Sequence, residues 1–331
     1  MQKWPYLILI ASTLGYAVSP FYVVGENYVS YFNSERELSI SRGIHPSSWT
    51  LDRKLCRLWV TSEEDSNLVA FENGNKWDEI KFTGKIISDV VDSQFATNNG
   101  NNLIEFRDPS GHVKSQVFFE NLPDLKQIHF LPGGGSWNLF QRKTSLNRDS
   151  LWVNKTDDQG TELKKIFLEA SQELWGRTIF SYEKTNQRLW IGYTRSTPQH
   201  MYSPYVVQLS STGEKEFDYQ WTDRGVLFDG CVEPTGDFSI FRDIPSPEFT
   251  VPLYSYLELL PWKGIPVTRL ALSTNLLVNS MDCRPDGVYV AVHSVLGGEP
   301  HQILHWDRNP KSLAEPLVTV PPKIQEVLTC D

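Results

Sequence analysis

The 331-residue chain has few of the features that mark nucleic-acid-binding or membrane-spanning proteins. Lys and Arg together number 31 against 40 Asp and Glu, so the formal charge is −9. A surface of this sign repels a phosphate backbone, and we do not expect nucleic acid as a partner. Beyond the first 17 residues, no apolar run approaches the roughly 20 residues that a transmembrane helix needs, so no stable membrane span is expected.

Catalytic and metal-binding signatures are also scarce. No Cys-x-x-Cys occurs, which removes the usual sign of a structural zinc or thioredoxin-type site. No helical pattern of ordinary length is present. What the chain does have is a 40% apolar fraction and 12% aromatic residues, enough to bury a sizeable core.

The N-terminus has the pattern of an export signal. Lys3 precedes an apolar stretch from Tyr6 to Ala17, and the small residues Gly15 and Ala17 stand two apart, as a signal peptidase requires. We expect residues 1–17 to be removed after Ala17, leaving residues 18–331 as a single secreted or periplasmic domain. A buried N-terminal strand or helix is the alternative.

A repeated unit organises the remainder of the chain. It consists of an apolar strand, a turn rich in Asp, Asn, Ser, Gly or Pro, and a second apolar strand, as expected for a tight hairpin. Seven such hairpins begin at Tyr28, Asn67, Asn102, Leu151, Tyr205, Tyr256 and Ile303. A further pair of strand-like runs lies between successive hairpins, so each unit has four strands and about 45 residues. This length is typical of a propeller blade.

The two ends of the chain complement each other. The first unit has three strands, whereas the C-terminal run from Ile324 to Asp331 resembles an innermost strand with no successor. We therefore predict an all-β, seven-bladed β-propeller, closed by pairing of the C-terminal strand with the N-terminal blade. Closure removes the exposed sheet edges that favour aggregation. Six or eight blades, or a β-sandwich with a second domain, are the alternatives.

Blade turns such as Pro285-Asp286-Gly287, followed by Val-Tyr-Val, give the chain a resemblance to TolB-like, NHL-like and gluconolactonase/regucalcin-like propellers. The resemblance covers nearly the whole chain but identifies no specific family. It implies the fold, and function does not follow from the fold.

Ligands of such propellers usually sit at one mouth of the central channel. If the innermost strands and their entry loops line this channel, Asp89, His129, Asp229 and Asp282 would lie near its mouth. We predict these four residues as ligands of a divalent metal such as Ca²⁺. Phe228-Asp229-Gly230 is similar to the metal-binding Asp-Gly stretch of gluconolactonase-like propellers. The alternative is that these carboxylates cap strand ends and accept hydrogen bonds from backbone amides.

The four cysteines are Cys56, Cys231, Cys283 and Cys330, and they allow three full pairings between which spacing does not choose. They could also be free, buried and apolar in behaviour. If a bridge forms, we expect Cys283–Cys330, because it would tie the C-terminal strand to its neighbouring blade.

Aromatic residues in or near long connections suggest a binding surface. His200, Tyr202, Trp175 and Trp262 are the candidates, since exposed aromatic side chains can anchor a protein or stack on a sugar. Trp59 and Trp190 occupy matching positions on second strands and are expected between blades.

Two functions are consistent with these features. The first is an exported binding or scaffold module that presents one loop-bearing face to a protein or glycan partner. The alternative is a metal-dependent lactonase or esterase whose site lies at the mouth of the channel, where a metal would polarise a carbonyl and activate water.

Overall fold

A computed structural model describes residues 19–33, 36–62, 64–91, 94–100, 103–118, 124–143, 149–196, 202–245, 252–272, 276–294, 301–308, 315–320 and 322–331. Twenty-seven strands and no α-helix are found within these ranges. Accordingly, the described residues contain no helix that could cross a bilayer. The predicted signal segment, residues 1–17, lies outside them.

The strands form seven blades around an axis, and each blade has four strands that we name A to D from the axis outwards. Blade 1 comprises β27 (Ile324–Thr329), β1 (Phe21–Gly25), β2 (Tyr28–Asn33) and β3 (Arg36–Arg42). Blade 2 comprises β4 (Pro46–Asp52), β5 (Arg57–Ser62), β6 (Asn67–Glu72) and β7 (Asn75–Lys81). Blade 3 comprises β8 (Lys85–Ile86), β9 (Phe95–Asn98), β10 (Leu103–Arg107) and β11 (Val113–Phe118).

Blades 4 and 5 share one strand. Blade 4 comprises β12 (Leu125–Phe130), β13 (Ser136–Lys143), β14 (Asp149–Thr156) and the first half of β15 (Glu162–Glu183). Blade 5 comprises the second half of β15, β16 (Arg188–Ser196), β17 (Ser203–Leu209) and β18 (Lys215–Gln220). The 22-residue β15 runs from the outside of one blade to the axis of the next.

The last two blades are regular antiparallel sheets. Blade 6 comprises β19 (Val226–Val232), β20 (Phe238–Pro245), β21 (Pro252–Leu260) and β22 (Val267–Leu272). Blade 7 comprises β23 (Leu276–Arg284), β24 (Gly287–Ser294), β25 (His301–Trp306) and β26 (Glu315–Val320).

The ring closes where the sequence predicts it to close. The C-terminal strand β27 pairs antiparallel with β1, with Val327 opposite Val23 and Thr329 opposite Phe21. The seven-bladed β-propeller and its closure by the C-terminal strand are therefore confirmed.

Aromatic side chains on the second strands fill the space between blades. Trp59 and Trp190 are fully buried, as predicted from their matching positions. Trp190 of blade 5 stacks on Phe238 of blade 6, with ring centroids 5.2 Å apart, and Trp59 of blade 2 packs against Phe95 of blade 3 at 5.4 Å. Aromatic pairs of this kind add to the apolar area that each blade buries against the next.

All four cysteines form disulfides, but the predicted Cys283–Cys330 pairing is wrong. Cys231 pairs with Cys283, and Cys56 pairs with Cys330. Successive side chains of a strand point to opposite faces. On β23, Asp282 points to blade 1, so Cys283 points back to blade 6, where Cys231 lies. Cys330 instead bonds Cys56 in the turn between β4 and β5 of blade 2.

We predict that the double variant Cys56→Ser/Cys330→Ser loses about 2–4 kcal/mol of unfolding free energy, because the bridge closes a long segment of the unfolded chain. Its partners are 274 residues apart, against 52 for Cys231 and Cys283. The matched variant Cys231→Ser/Cys283→Ser should therefore lose about 1–2 kcal/mol less. Urea unfolding monitored by fluorescence measures both losses, and equal or reversed losses would contradict the chain-entropy argument.

Candidate functional site

The propeller has two faces that differ in their connections. The B strands end and the C strands begin at one end of the axis, which we call the loop face, and Tyr202, directly before β17, lies there. The A–B and C–D turns lie at the other end, which we call the turn face. Both disulfides lie toward the turn face, because their cysteines occupy the ends of A strands or an A–B turn.

An ion pair crosses three blades in the channel. Arg53, in the A–B turn of blade 2, donates through both Nη atoms to the carboxylate of Asp282 on β23, at 2.7 and 3.0 Å. Arg53 Nη1 also donates to the carbonyl of Thr329 on β27. Thr329 completes the arrangement, since its amide and hydroxyl both donate to Asp282 Oδ2. Both oxygens of Asp282 are therefore occupied by protein donors.

Asp229 is engaged in a different way. Its Oδ2 accepts the backbone N–H of Met281 on the next blade at 2.7 Å, and its Oδ1 accepts that of Gly230 at 2.8 Å. Burial raises the pKa of the Asp229 carboxyl to about 6, while the two amide bonds oppose the shift and nearby Asp282 adds to it. Asp229 thus fastens β19 to β23, as the capping alternative proposed.

A further carboxyl, Glu326 on β27, faces the same region. Burial raises its pKa well above the ordinary range, and the negative charges of Asp229 and Asp282 add to the effect. Arg177 on β15 is its nearest cation, with Nη1 3.7 Å from Glu326 Oε2. The inner strands of blades 5, 6, 7 and 1 therefore bring one guanidinium and three carboxyls toward each other across the axis.

His129 lies on β12 in the opposite half of the ring. Its ring packs on Tyr182 with centroids 4.7 Å apart, and its Nε2 has no hydrogen-bond partner among the described residues. Burial lowers the pKa of His129 to about 4, although Asp89 opposes the shift. The imidazole is consequently neutral at neutral pH. Asp89 itself is exposed.

The four predicted metal ligands do not come together. Within the described ranges, no three His, Cys, Asp or Glu side chains are grouped closely enough to hold a metal ion. Asp229 and Asp282 are near each other, but their oxygens already accept hydrogen bonds. His129 lies on blade 4, and Asp89, which is exposed, follows the inner strand of blade 3.

Sequence reasoning missed the cations of the channel. Arg53 and Arg177 neutralise part of the axial negative charge, and Glu326 was not selected although β27 was identified as an inner strand. Glu326 did offer a signal, because it is the one acidic residue of the inner strand β27. Arg53 offered no such signal, since it stands in a turn.

The candidate aromatic residues divide between the two faces. Trp175 on β15 and Tyr202 meet edge to face at the loop face, with centroids 4.8 Å apart, and Trp175 is 38% exposed. His200 lies outside the described residues. Trp262 does not share this face, because it stands in the C–D turn of blade 6 and its amide donates to Asp237 in the neighbouring A–B turn.

Trp262 has its own partners on the turn face. The guanidinium of Arg188, from blade 5, lies 3.9 Å from the centroid of its ring. This cation–π contact joins two blades and accounts for a partly exposed tryptophan without any ligand. Trp262 therefore lies on a different face from Trp175 and Tyr202, and a role for it in partner binding stays a prediction.

Comparisons with known proteins establish the class of fold. No protein-family model and no curated protein matches the chain. Among solved structures, Kuenenia stuttgartiensis hydrazine synthase is similar, with a TM-score of 0.65, 9% identity and coverage of 88% of this chain and 94% of that one. The Cps50 (Swd1) β-propeller domain of Myceliophteria thermophila has a TM-score of 0.56 and 11% identity, covering 86% of this chain and 88% of that one.

A third similar structure is the Dos1 propeller, with a TM-score of 0.57, 10% identity and coverage of 92% of this chain and 82% of that one. At these identities the likeness concerns the fold alone. The chain is a β-propeller.

We predict that Arg53→Met lowers the unfolding free energy by about 2–4 kcal/mol, because it leaves the Asp282 carboxylate buried without its cation. Asp282 is 7% exposed at its side chain, whereas Arg53 is 36% exposed, which places the loss below that of a fully buried pair. The matched control is Lys215→Met in the surface pair with Asp218, where at most about 1 kcal/mol is expected. Chemical denaturation measures both, and equal losses would contradict a structural role for the axial pair.

We predict a pH-dependent effect for Glu326→Gln. Because the folded-state pKa of Glu326 is raised from 4.5, the wild-type protein loses stability as the pH rises and this carboxyl ionises. The variant should therefore be more stable than wild type at pH 8, by on the order of 1 kcal/mol, and nearly equal to it at pH 4.5. Exposed Glu37→Gln is the control and should change stability little at either pH. A destabilised Gln variant at pH 8 would show that the pairing with Arg177 dominates.

Proposed function

We propose that this protein is an exported binding module that engages a protein partner through its loop face. The observation that carries the proposal is the pair Trp175 and Tyr202, because a partly exposed tryptophan supported edge to face by a tyrosine is the type of side chain that anchors protein interfaces. The backbone carbonyl of Tyr202 accepts a hydrogen bond from the amide of Gly225, and this bond holds Tyr202 in place.

The rigidity of the ring supports this role. Seven blades, two disulfides and the Arg53–Asp282 pair hold the A strands in fixed positions, so that loop-face residues are presented without rearrangement. A pre-organised surface reduces the entropy that association costs. A rigid surface of this kind suits the binding of a macromolecule better than it suits a site that must close around its ligand.

Export is supported by the cysteines. All four are paired, and disulfides form and persist mainly in oxidising compartments. Together with the N-terminal signal pattern, this supports a secreted or periplasmic location as part of the proposal.

The lactonase or esterase alternative has no comparable support. In the part of the chain that the structure describes, the carboxylate oxygens of Asp229 and Asp282 already accept hydrogen bonds from protein donors. His129 lies on a different blade from both. The proposal also names a protein and not a glycan, because Trp175 meets Tyr202 edge to face and the two rings do not form an open stacking platform.

We predict that Trp175→Ala reduces capture of the partner at least tenfold, because an anchoring aromatic residue typically contributes 2 kcal/mol or more. Immobilised protein would be incubated with the secreted and envelope fractions of its source cells, and bound proteins quantified by mass spectrometry. Trp262→Ala is the matched control, since it removes a tryptophan of similar exposure, 43%, from the opposite face.

The expected result is a protein that wild type and Trp262→Ala capture equally and that Trp175→Ala does not. Circular dichroism and thermal unfolding of each variant verify the fold. Equal capture by wild type and Trp175→Ala, or a selective loss with Trp262→Ala, would overturn the loop-face assignment.

A further inference from the structure

A groove crosses the turn face at blade 4, on the side of the ring away from the loop face. It consists of two cavities, of about 330 and 360 Å³. Both cavities include Gly133, Gly134 and the run from Thr156 to Asp158 in their walls. The A–B and C–D turns of blade 4 therefore form a saddle with one cavity on each side.

Glycine makes the saddle possible. Gly133, Gly134 and Gly135 have φ values of 87°, 105° and 79°, a backbone region that side chains disfavour. A Cβ at Gly135 would stand 2.2 Å from the carbonyl oxygen of Thr156, and one at Gly134 would stand 3.2 Å from Cβ of Asp158. The two turns consequently lie back to back, and Asp158 is held at the crest between the cavities.

The first cavity opens toward blade 3 because the inner strand of that blade is short. After the two residues of β8, the chain bonds to β12 of blade 4, where the amide of Ile128 donates to Ile87 at 2.7 Å. Phe106 and Phe130 are left partly buried, with ring centroids 5.3 Å apart, and line the cavity together with Val117. This wall is apolar and aromatic.

The second cavity opens toward blade 5 and is lined by Trp137, Tyr182, Leu131 and Leu163. One cation, Lys155, is present, and its Nζ already donates to the carbonyl of Ser211 at 2.8 Å. Leu163, which is 60% exposed, and Leu131 provide the apolar part of its wall, whereas Trp137 is fully buried.

The crest carries negative charge that is available to a ligand. Asp157 uses Oδ1 to accept the amides of Gln159 and Thr161. Asp158 is exposed, and its carboxylate has no hydrogen bond or ion pair within the described ranges. Aromatic walls beside carboxylates suit an organic cation, because the rings hold its apolar stem or face while the carboxylates balance its charge.

We propose that this turn-face groove binds an extended segment of a partner protein in which a Lys or Arg neighbours a large apolar residue. The basic side chain meets Asp158 from the cavity beside Phe130, and the apolar side chain enters the other cavity against Leu163 and Leu131. Each cavity lies near the lower limit of about 300 Å³ for small-molecule sites, so each suits one side chain better than a whole cofactor. The site is separate from the loop-face surface proposed above.

The test uses a fluorescein-labelled, amidated Gly-Leu-Lys-Phe-Gly peptide and the full chain, with fluorescence anisotropy at physiological salt. We expect saturable binding, weakened at least tenfold by Asp158→Lys and also by Ser115→Trp, which fills the first cavity from exposed strand β11 without changing the charge. Glu37→Lys changes the net charge as much as Asp158→Lys but lies on the outer strand of blade 1, and less than a twofold effect is expected.

Several results would overturn the proposal. Absence of saturable binding, or equal binding of Gly-Leu-Glu-Phe-Gly, would do so. If Asp158→Lys weakened peptide binding but Ser115→Trp did not, the binding would be charge attraction alone and the first cavity would not be occupied. Displacement of the peptide by an equal concentration of benzylamine would identify a small-amine site and not a peptide groove. Retained binding by Trp175→Ala is expected, so the two surfaces can fail independently.

Discussion

Pairing of β27 with β1 is the contact on which the remainder of the structure depends, because it joins the two ends of the chain into one blade. Without it, blade 1 would lack its inner strand and the ring would have an open edge on each side of the gap. The structure reinforces this seam from both neighbours. Asp282 of blade 7 and Arg53 of blade 2 meet on Thr329, and Cys330 is bonded to Cys56.

The same constraint explains the character of the channel. Innermost strands converge on the axis, so their polar side chains are brought close whether or not they perform chemistry. Asp229 fastens blade 6 to blade 7 through the amide of Met281, and Asp282 links blade 7 to blades 1 and 2 through Thr329 and the guanidinium of Arg53. Charged residues at the axis of a propeller can therefore be structural, and perturbed pKa values at such positions are weak evidence for catalysis.

A rigid ring leaves its two faces free to diverge. On the loop face, Trp175 of β15 meets Tyr202, the residue directly before β17. On the turn face, tight turns pack against each other, and Trp262 with Arg188 joins two blades there. Blade 4 departs from this regularity, because its glycine turn and the short β8 of blade 3 leave room between blades. The two proposed surfaces thus follow from different irregularities of one repeating architecture.

By itself the sequence determined the blade number, the strand order and the closure, because alternating apolar residues and turn residues such as Asp108 and Gly111 act locally and repeat. It also determined that Trp59 and Trp190 are buried between blades, since their matching positions require matching environments. Tertiary structure decided the disulfide partners, the separation of Trp262 from Trp175, and the engagement of Asp282 by Arg53. Those outcomes depend on which blade each side of an inner strand faces and on where a turn lies relative to the axis. The spacing of residues along the chain specifies neither of these.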